Sequence, residues 1–414
     1  MIIVPLAVAA LWVGTHFSFG WEREAPAPGI ANAALADIEE RQRAPGSRID
    51  YRRIDARLQA LAAQDDMVGI AVGIVEDGEI RFLKGYGVTL SGTNDRVHPG
   101  TVFRWASLSK GAAADMIALL ASENRLALNE PVSRYAPTLR LPGASEHKAT
   151  LEDLLSHRLG LFSHASDDKL EADVSPALLR QMLGTLNAIC PPGTCHAYQN
   201  VAYDAASEIV SKVTGKPYGE VLRERFFGPL GMETASVSRA GLMGARSWAR
   251  PHVGGGSSRP VEVAEAYYRV PAAGGVNSSI KDLAVWMQAQ MGLAPQILSP
   301  AVLAEVQRPR AATPREYGRL RRFRERVTRA GYGLGWRTYD YAGHRVIAHR
   351  GGVRGYRSLI MFDPELRTGV VAMWNASTSQ PGGLEFEVMD MAYGLPASDW
   401  LLLATAPPPT RCPT

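Results

Sequence analysis

Of the seven lysines in this 414-residue chain, four carry a serine three positions earlier: Ser107/Lys110, Ser145/Lys148, Ser166/Lys169 and Ser278/Lys281. Context separates them. Ser145 follows a Pro-Gly turn, Ser166 lies in a polar stretch, and Ser278 with Ser279 reads as a helix cap. Only Ser107 follows a strand-like Val102-Phe103-Arg104-Trp105 and opens a long apolar helix, expected over Ser107 to Ser122. Positions i and i+3 of a helix share a face, which sets the Lys110 amine beside the Ser107 hydroxyl. The helix N-terminus adds unpaired N–H groups and a positive dipole end where an oxyanion would form. A serine hydroxyl needs a partner to take its proton, and a desolvated lysine can have its pKa lowered enough to do so.

Tyr198 is the second candidate, because it alone among fourteen tyrosines has an asparagine, Asn200, two positions on. A buried structural phenol is the other reading of it. The third element is His349-Arg350-Gly351, at the start of a C-terminal strand and uninformative alone. Other chemistries lack their signatures. The nine histidines contain no H-x-x-H pair, and Cys190/Cys195 have no second pair to complete a zinc site, so no metal is expected. Phosphate-binding glycine loops and a G-x-S-x-G elbow are missing too, and no cofactor is expected.

The elements that must position these residues begin with Ile54, Leu58 and Leu61 at helical spacing. Val68 to Val75 and Ile80 to Leu83, joined by Asp77-Gly78, then read as a hairpin. Segments from about Leu141 to Leu320 look helical: Thr150 to Ser156 with a capping box, Val201 to Val213, and Ile280 to Met291. Strand character returns from Val346, through Ser358 to Phe362 and Gly369 to Trp374, before a last helix over Leu384 to Tyr393. The expected organisation is an α/β sheet domain from 47–140 and 321–395, an all-helical insertion over 141–320, and a Pro-rich tail over 396–414.

Met1 to Gly20 carries no Lys, Arg, Asp or Glu, which reads as a removed signal peptide or a retained membrane anchor, with 21–46 as a linker. Export is expected, with the mature chain periplasmic or anchored to the inner membrane through its N-terminus. Cys190 and Cys195 bracket a Pro-Pro-Gly-Thr turn and are either disulfide-bonded or two buried thiols, while Cys412 has no evident partner. The net charge of +4 is too small to imply a nucleic-acid partner. Nine arginines nevertheless lie between Arg308 and Arg329 against Glu316 and Glu325, either a solvated face or a patch for an anionic surface.

Taken in order, these pieces resemble the serine β-lactamase and penicillin-binding-protein superfamily, in its class C β-lactamase, D,D-peptidase and family VIII carboxylesterase branch. The phrases that carry the likeness are Phe103 to Lys110, Leu154 to Leu161, Pro192 to Asn200, Pro229 to Met232, Ala273 to Leu283, Tyr332 to Trp336 and His349 to Gly355. The resemblance implies an α+β fold, an antiparallel sheet flanked by helices with an inserted helical domain. By the same likeness Ser107 is the nucleophile, Lys110 its base or proton relay, and Tyr198 the proton shuttle. Asn200 would hold Lys110 or the substrate's amide, and His349, Arg350, Gly351 and Gly352 would bind substrate, with the amides of Ser107 and Gly352 as oxyanion hole.

Two departures qualify that picture. His349 and Arg350 stand where class C enzymes carry the Lys and Thr of Lys-Thr-Gly, so a permanent cation is exchanged for a group partly charged at neutral pH. His157 to Gly160 likewise reads His-Arg-Leu-Gly in place of His-Thr-Ser-Gly. The expected function is an exported serine hydrolase that forms an acyl-enzyme on Ser107 and cleaves a small-molecule or peptide ester or amide. A β-lactamase or D,D-carboxypeptidase, and a non-catalytic cell-wall-peptide binding module, are the alternatives; oligomeric state stays open.

Overall fold

Asp50 caps the first helix, α1 (Tyr51–Ala62), by accepting the Arg53 amide, and the helix buries Tyr51, Ile54, Leu58 and Leu61 in one stripe. The computed structural model describes residues 46–255 and 258–403. The expected signal or anchor, nearly all of the linker, and Cys412 lie outside them. Strands β1 (Gly69–Glu76) and β2 (Glu79–Gly87) form the expected hairpin. Its turn needs positive φ at Asp77 and Gly78, +54° and +84°, which explains the Asp-Gly pair.

The main sheet is eight-stranded and antiparallel in the order β2-β1-β12-β11-β10-β9-β8-β7. Its later strands are β7 (Ala311–Ala312), β8 (Val327–Tyr332), β9 (Arg337–Tyr341), β10 (His344–Val353), β11 (Tyr356–Asp363) and β12 (Thr368–Trp374). Two further pairs stand apart, β3 (Val102–Arg104) with β6 (Asn277–Ser279) and β4 (His252–Val253) with β5 (Arg259–Pro260). The α+β architecture read from the sequence is the one observed.

Alternation along β1 divides the core. Ile70, Val72 and Ile74 face a cluster with α1 residues Ile54, Leu58 and Leu61 and with Leu384 and Val388 of the C-terminal helix (Leu384–Ala392). Ala71 and Val75 face a larger cluster containing Leu283, Ala284 and Met287, which belong to the helix Ile280–Gln290 capped by Ser279. That helix therefore packs on the sheet, although its sequence position placed it in the helical insertion. The tail also begins later than expected, since Trp400 and Leu401 are buried and Trp400 donates to Asp390 at 2.8 Å.

Strands β7 to β9 were not legible, because the arginines around them read as surface. Arg310 and Arg326 are in fact buried in ion pairs, with Glu152 at 3.0 Å and Asp390 at 3.1 Å. Glu316, on the short helix Pro314–Arg319, turns inward to Arg337 at 2.8 Å.

Candidate active site

Four hydrogen bonds fix the turn that delivers Ser107. The Trp105 amide donates to Val276 O (2.9 Å) and its indole to Ser278 Oγ (2.7 Å). Ser358 Oγ donates to Trp105 O (2.6 Å), and Ser109 Oγ to Ala106 O (2.7 Å). Ala106 is held at φ +48°, a conformation that costs a non-glycine residue about 1–3 kcal/mol and persists where its surroundings over-determine it. Ser107 lies in the following turn of 3-10 helix, Ala106–Leu108, and is the one residue from Thr101 to Lys110 that is not fully buried. The α-helix proper, α2, runs Ser109–Ser122, two residues later than expected.

Lys110, one turn on, is fully buried. Its Nζ donates to Asn200 Oδ1 at 2.7 Å and to Ala273 O at 2.9 Å, and stands 4.7 Å from the centre of the Tyr198 ring. Burial pushes this amine down to about 7; Asp167 and Asp204 pull against that shift, and Arg337 adds to it. Asn200 is oriented by its neighbours, because its Nδ2 donates to Asp167 Oδ2 at 2.6 Å and leaves only its oxygen for the ammonium.

Tyr198 Oη is buried without a hydrogen-bond partner among the described residues. Burial raises its pKa above the ordinary phenol value, while Arg337 and the adjacent Ser107 hydroxyl pull it down. The segment that carries it is paired to the turn after the helix Leu151–Leu155. Ala197 N donates to His157 O (2.9 Å), Gln199 N to His157 Nδ1 (3.1 Å), and His164 N to Tyr198 O (2.8 Å). Cys190 and Cys195, just upstream, are disulfide-bonded, with Cα atoms 6.3 Å apart.

His349 ends a chain whose protons can all be assigned. Gln199 N–H occupies His157 Nδ1, so His157 carries its proton on Nε2 and donates to Tyr332 Oη at 3.2 Å. The Tyr332 hydroxyl then donates to His349 Nε2 at 3.1 Å, and His349 Nδ1–H donates to Arg350 O at 2.9 Å. Burial, with Arg337 and Lys110 nearby, pushes the His349 pKa well below the ordinary value. His157 is shifted the same way by burial and by His196, Lys110 and His349. The imidazole of His349 is thus neutral at physiological pH, a correction to the partly charged group expected there.

Arg350 requires a second correction. Side chains alternate along a strand, and that of Arg350 points away from His349 toward the C-terminal helix. It donates from Nε to Glu385 at 2.8 Å and from Nη2 to Gly382 O at 3.2 Å, and packs on Phe386. It does not reach the site. Gly351 does: a Cβ there would lie 2.3 Å from Trp105 O and 3.0 Å from Ser107 N, so only glycine lets β10 approach the turn that carries Ser107. Gly352, next along, is exposed beside Arg357.

The structure therefore gathers Ser107, Lys110, Tyr198, Asn200, His349 and Gly351. It adds residues to which sequence reasoning gave no chemical part: His157, Asp167, Tyr332 and Arg337, the last with its guanidinium carbon 5.7 Å from the centre of the Tyr198 ring. His157 and Tyr332 sit in two of the family-like phrases, which was the available signal. Asp167 and Arg337 carried none.

The Beta-lactamase family matches residues 54–390. The chain is 32% identical over 335 residues to the Unguisins hydrolase ungD' of Aspergillus campestris (strain IBT 28561), covering 75% of this chain and only 59% of that protein. It is 31% identical over 170 residues to the D-alanyl-D-alanine-carboxypeptidase/endopeptidase AmpH of Escherichia coli (strain K12), covering 40% of this chain and 44% of that protein. Its fold is similar to that of an octameric penicillin-binding protein homologue from Pyrococcus abyssi, with a TM-score of 0.74 at 24% identity over 84% of this chain and 78% of that one.

Proposed function

The chain belongs to the Beta-lactamase family and is an enzyme of the serine-hydrolase type, and from that premise we propose that it cleaves a peptide amide through an acyl-enzyme on Ser107. The observation that carries the proposal is the buried cluster one helical turn from Ser107, in which Lys110 Nζ is held by Asn200 Oδ1 and Ala273 O and stands 4.7 Å from the centre of the Tyr198 ring. Lys110, near pKa 7, is substantially a free amine at neutral pH, whereas Tyr198, raised by burial, stays a neutral phenol. Lys110 is therefore the base and Tyr198 the acid.

In the first step the Ser107 proton passes to the Lys110 amine as Oγ bonds to the substrate carbonyl carbon. As the family likeness implies, the amides of Ser107 and of Gly352, next to the Gly351 that packs against the Ser107 turn, would hold the oxyanion, a contribution whose loss costs about 10²–10³ in rate in serine proteases. The C–N bond then breaks as Tyr198 gives its proton to the leaving amine, and the phenol is restored by the Lys110 ammonium. In the second step Lys110 takes a proton from water, whose oxygen displaces Ser107 Oγ, and returns that proton to the serine.

The neutral His349 offers no permanent cation where class C enzymes carry a lysine, which supports slow turnover of a β-lactam. The names of the fungal and E. coli relatives, a hydrolase and a carboxypeptidase/endopeptidase, support hydrolysis of a peptide. Export to an oxidising compartment belongs to the same proposal, supported by the uncharged Met1 to Gly20 segment and by the Cys190–Cys195 bond.

The test compares a D-Ala-D-Ala peptide, short p-nitrophenyl esters and a chromogenic cephalosporin, with fluorophosphonate labelling of wild type and Ser107→Ala. Turnover of peptide and esters, slow turnover of the cephalosporin, and labelling lost in the variant are expected. Equal labelling of both proteins sinks the proposal.

A further inference from the structure

We propose that the Cys190–Cys195 disulfide and Arg158 together form a clamp that positions Tyr198, so that amide cleavage depends on the cross-link being intact. This rests on the acid role assigned to Tyr198 above.

The phenol hydroxyl makes no close hydrogen bond among the described residues, with only the Ser107 hydroxyl beside it, so its place is set mainly by its ring packing and by the backbone that carries it. That backbone is paired with the 157–164 turn at both ends. On one side are the His157 and His164 contacts already described. On the other, Ile189 N donates to Gly160 O and Gly193 N to Arg158 O, each at 2.8 Å. Gly160, at φ +80°, lies so close to Cys190 O that a Cβ would stand 2.3 Å from it. The disulfide closes the loop between these anchors and ends three residues before Tyr198.

Arg158 grips that loop. Its Nη1 donates to Gly193 O at 3.2 Å, while Glu152 (2.8 Å), Asp153 (3.0 Å) and Ser156 Oγ (2.9 Å) hold the rest of the guanidinium. The Arg in His-Arg-Leu-Gly, a departure from the usual His-Thr-Ser-Gly, is thereby explained as half of the clamp. The other half is a cross-link spanning five positions, and so short a loop constrains the unfolded chain least of all. Its consequence is local geometry rather than global stability.

Both cysteine residues are partly exposed, and the bond is taken to be open to a small dithiol. Reduction transfers two electrons and two protons from that dithiol; the protein S–S bond becomes two S–H groups and the reagent closes its own disulfide. The freed 190–195 loop then loosens the Tyr198 segment.

The readout uses the acid role. A p-nitrophenolate leaving group needs no proton, whereas a leaving amine does. The full chain is compared oxidised, reduced with dithiothreitol, and as Cys190→Ser/Cys195→Ser, with fold checked by near-UV circular dichroism. Turnover of a D-Ala-D-Ala peptide falls tenfold or more, the p-nitrophenyl ester acylation burst falls less than threefold, and reoxidation restores the peptide rate. Unchanged rates, or a parallel fall in both, overturn the proposal. Should the reduced chain unfold, Arg158→Ala with the disulfide intact gives the same divergence, and its absence there is equally fatal. An oxidised wild type that turns over neither substrate refutes the assigned hydrolysis instead.

Discussion

Lys110 Nζ lies 2.7 Å from Oδ1 of Asn200, a residue ninety positions downstream, with both side chains buried. The contact fixes the amine and stabilises its charged form, in opposition to the burial that lowers its pKa to about 7. A depressed lysine pKa means that the amine is free above about 7 and protonated below it. Peptide kcat/KM should therefore fall as pH drops through 7 and level off above it. Asn200→Ala removes the acceptor, so the inflection should move to lower pH while kcat falls about tenfold. A pH–rate profile of both proteins checks this, and an inflection that stays in place removes Lys110 as the base.

Tyr198→Phe separates activity from stability. Its hydroxyl is buried with no close hydrogen bond and only the partly exposed Ser107 hydroxyl beside it, so deleting it strands no buried group, and the melting temperature should hold or rise slightly. Amide kcat should drop about 10²–10⁴-fold through loss of the acid. Calorimetry alongside steady-state kinetics decides it.

Tyr332→Phe has the opposite signature. Its hydroxyl accepts from His157 and donates to His349, and its removal strands two buried imidazole nitrogens. A loss of about 1–3 kcal/mol in denaturant unfolding is expected. Nitrogen chemical shifts of the histidines should move away from the assigned tautomers, proton on Nε2 of His157 and on Nδ1 of His349.

Arg350→Ala tests the reassignment of a residue first read as substrate-binding. Its partner Glu385 is buried, so the unpaired carboxylate should cost about 1–3 kcal/mol, reduced because the guanidinium side is 39% exposed. On folded protein, kcat/KM should change less than threefold. A tenfold rise in KM would return Arg350 to the substrate site.

Local sequence was sufficient for whatever depends on short spacing. The Ser107/Lys110 interval and the turn after Trp105 are set within one stretch of chain, and Tyr198 with Asn200 within another. The hairpin at Asp77-Gly78 follows from turn chemistry and hydropathy period, and the α+β class from the family resemblance of the ordered motifs. Side-chain direction on β10 did not follow, because that strand is covered on both faces: Ile347 and Ala348 are both buried, so no alternation in hydropathy marks which face His349 or Arg350 takes. A lowered Lys110 pKa was expected from its pairing with Ser107, but the neutrality of His349 was out of reach, since it comes from burial and from Arg337. The chain joining His157, Tyr332 and His349 spans intervals of 175 and 17 residues. Spacing along the chain decided which groups are present; only close packing of distant segments decided where each proton resides.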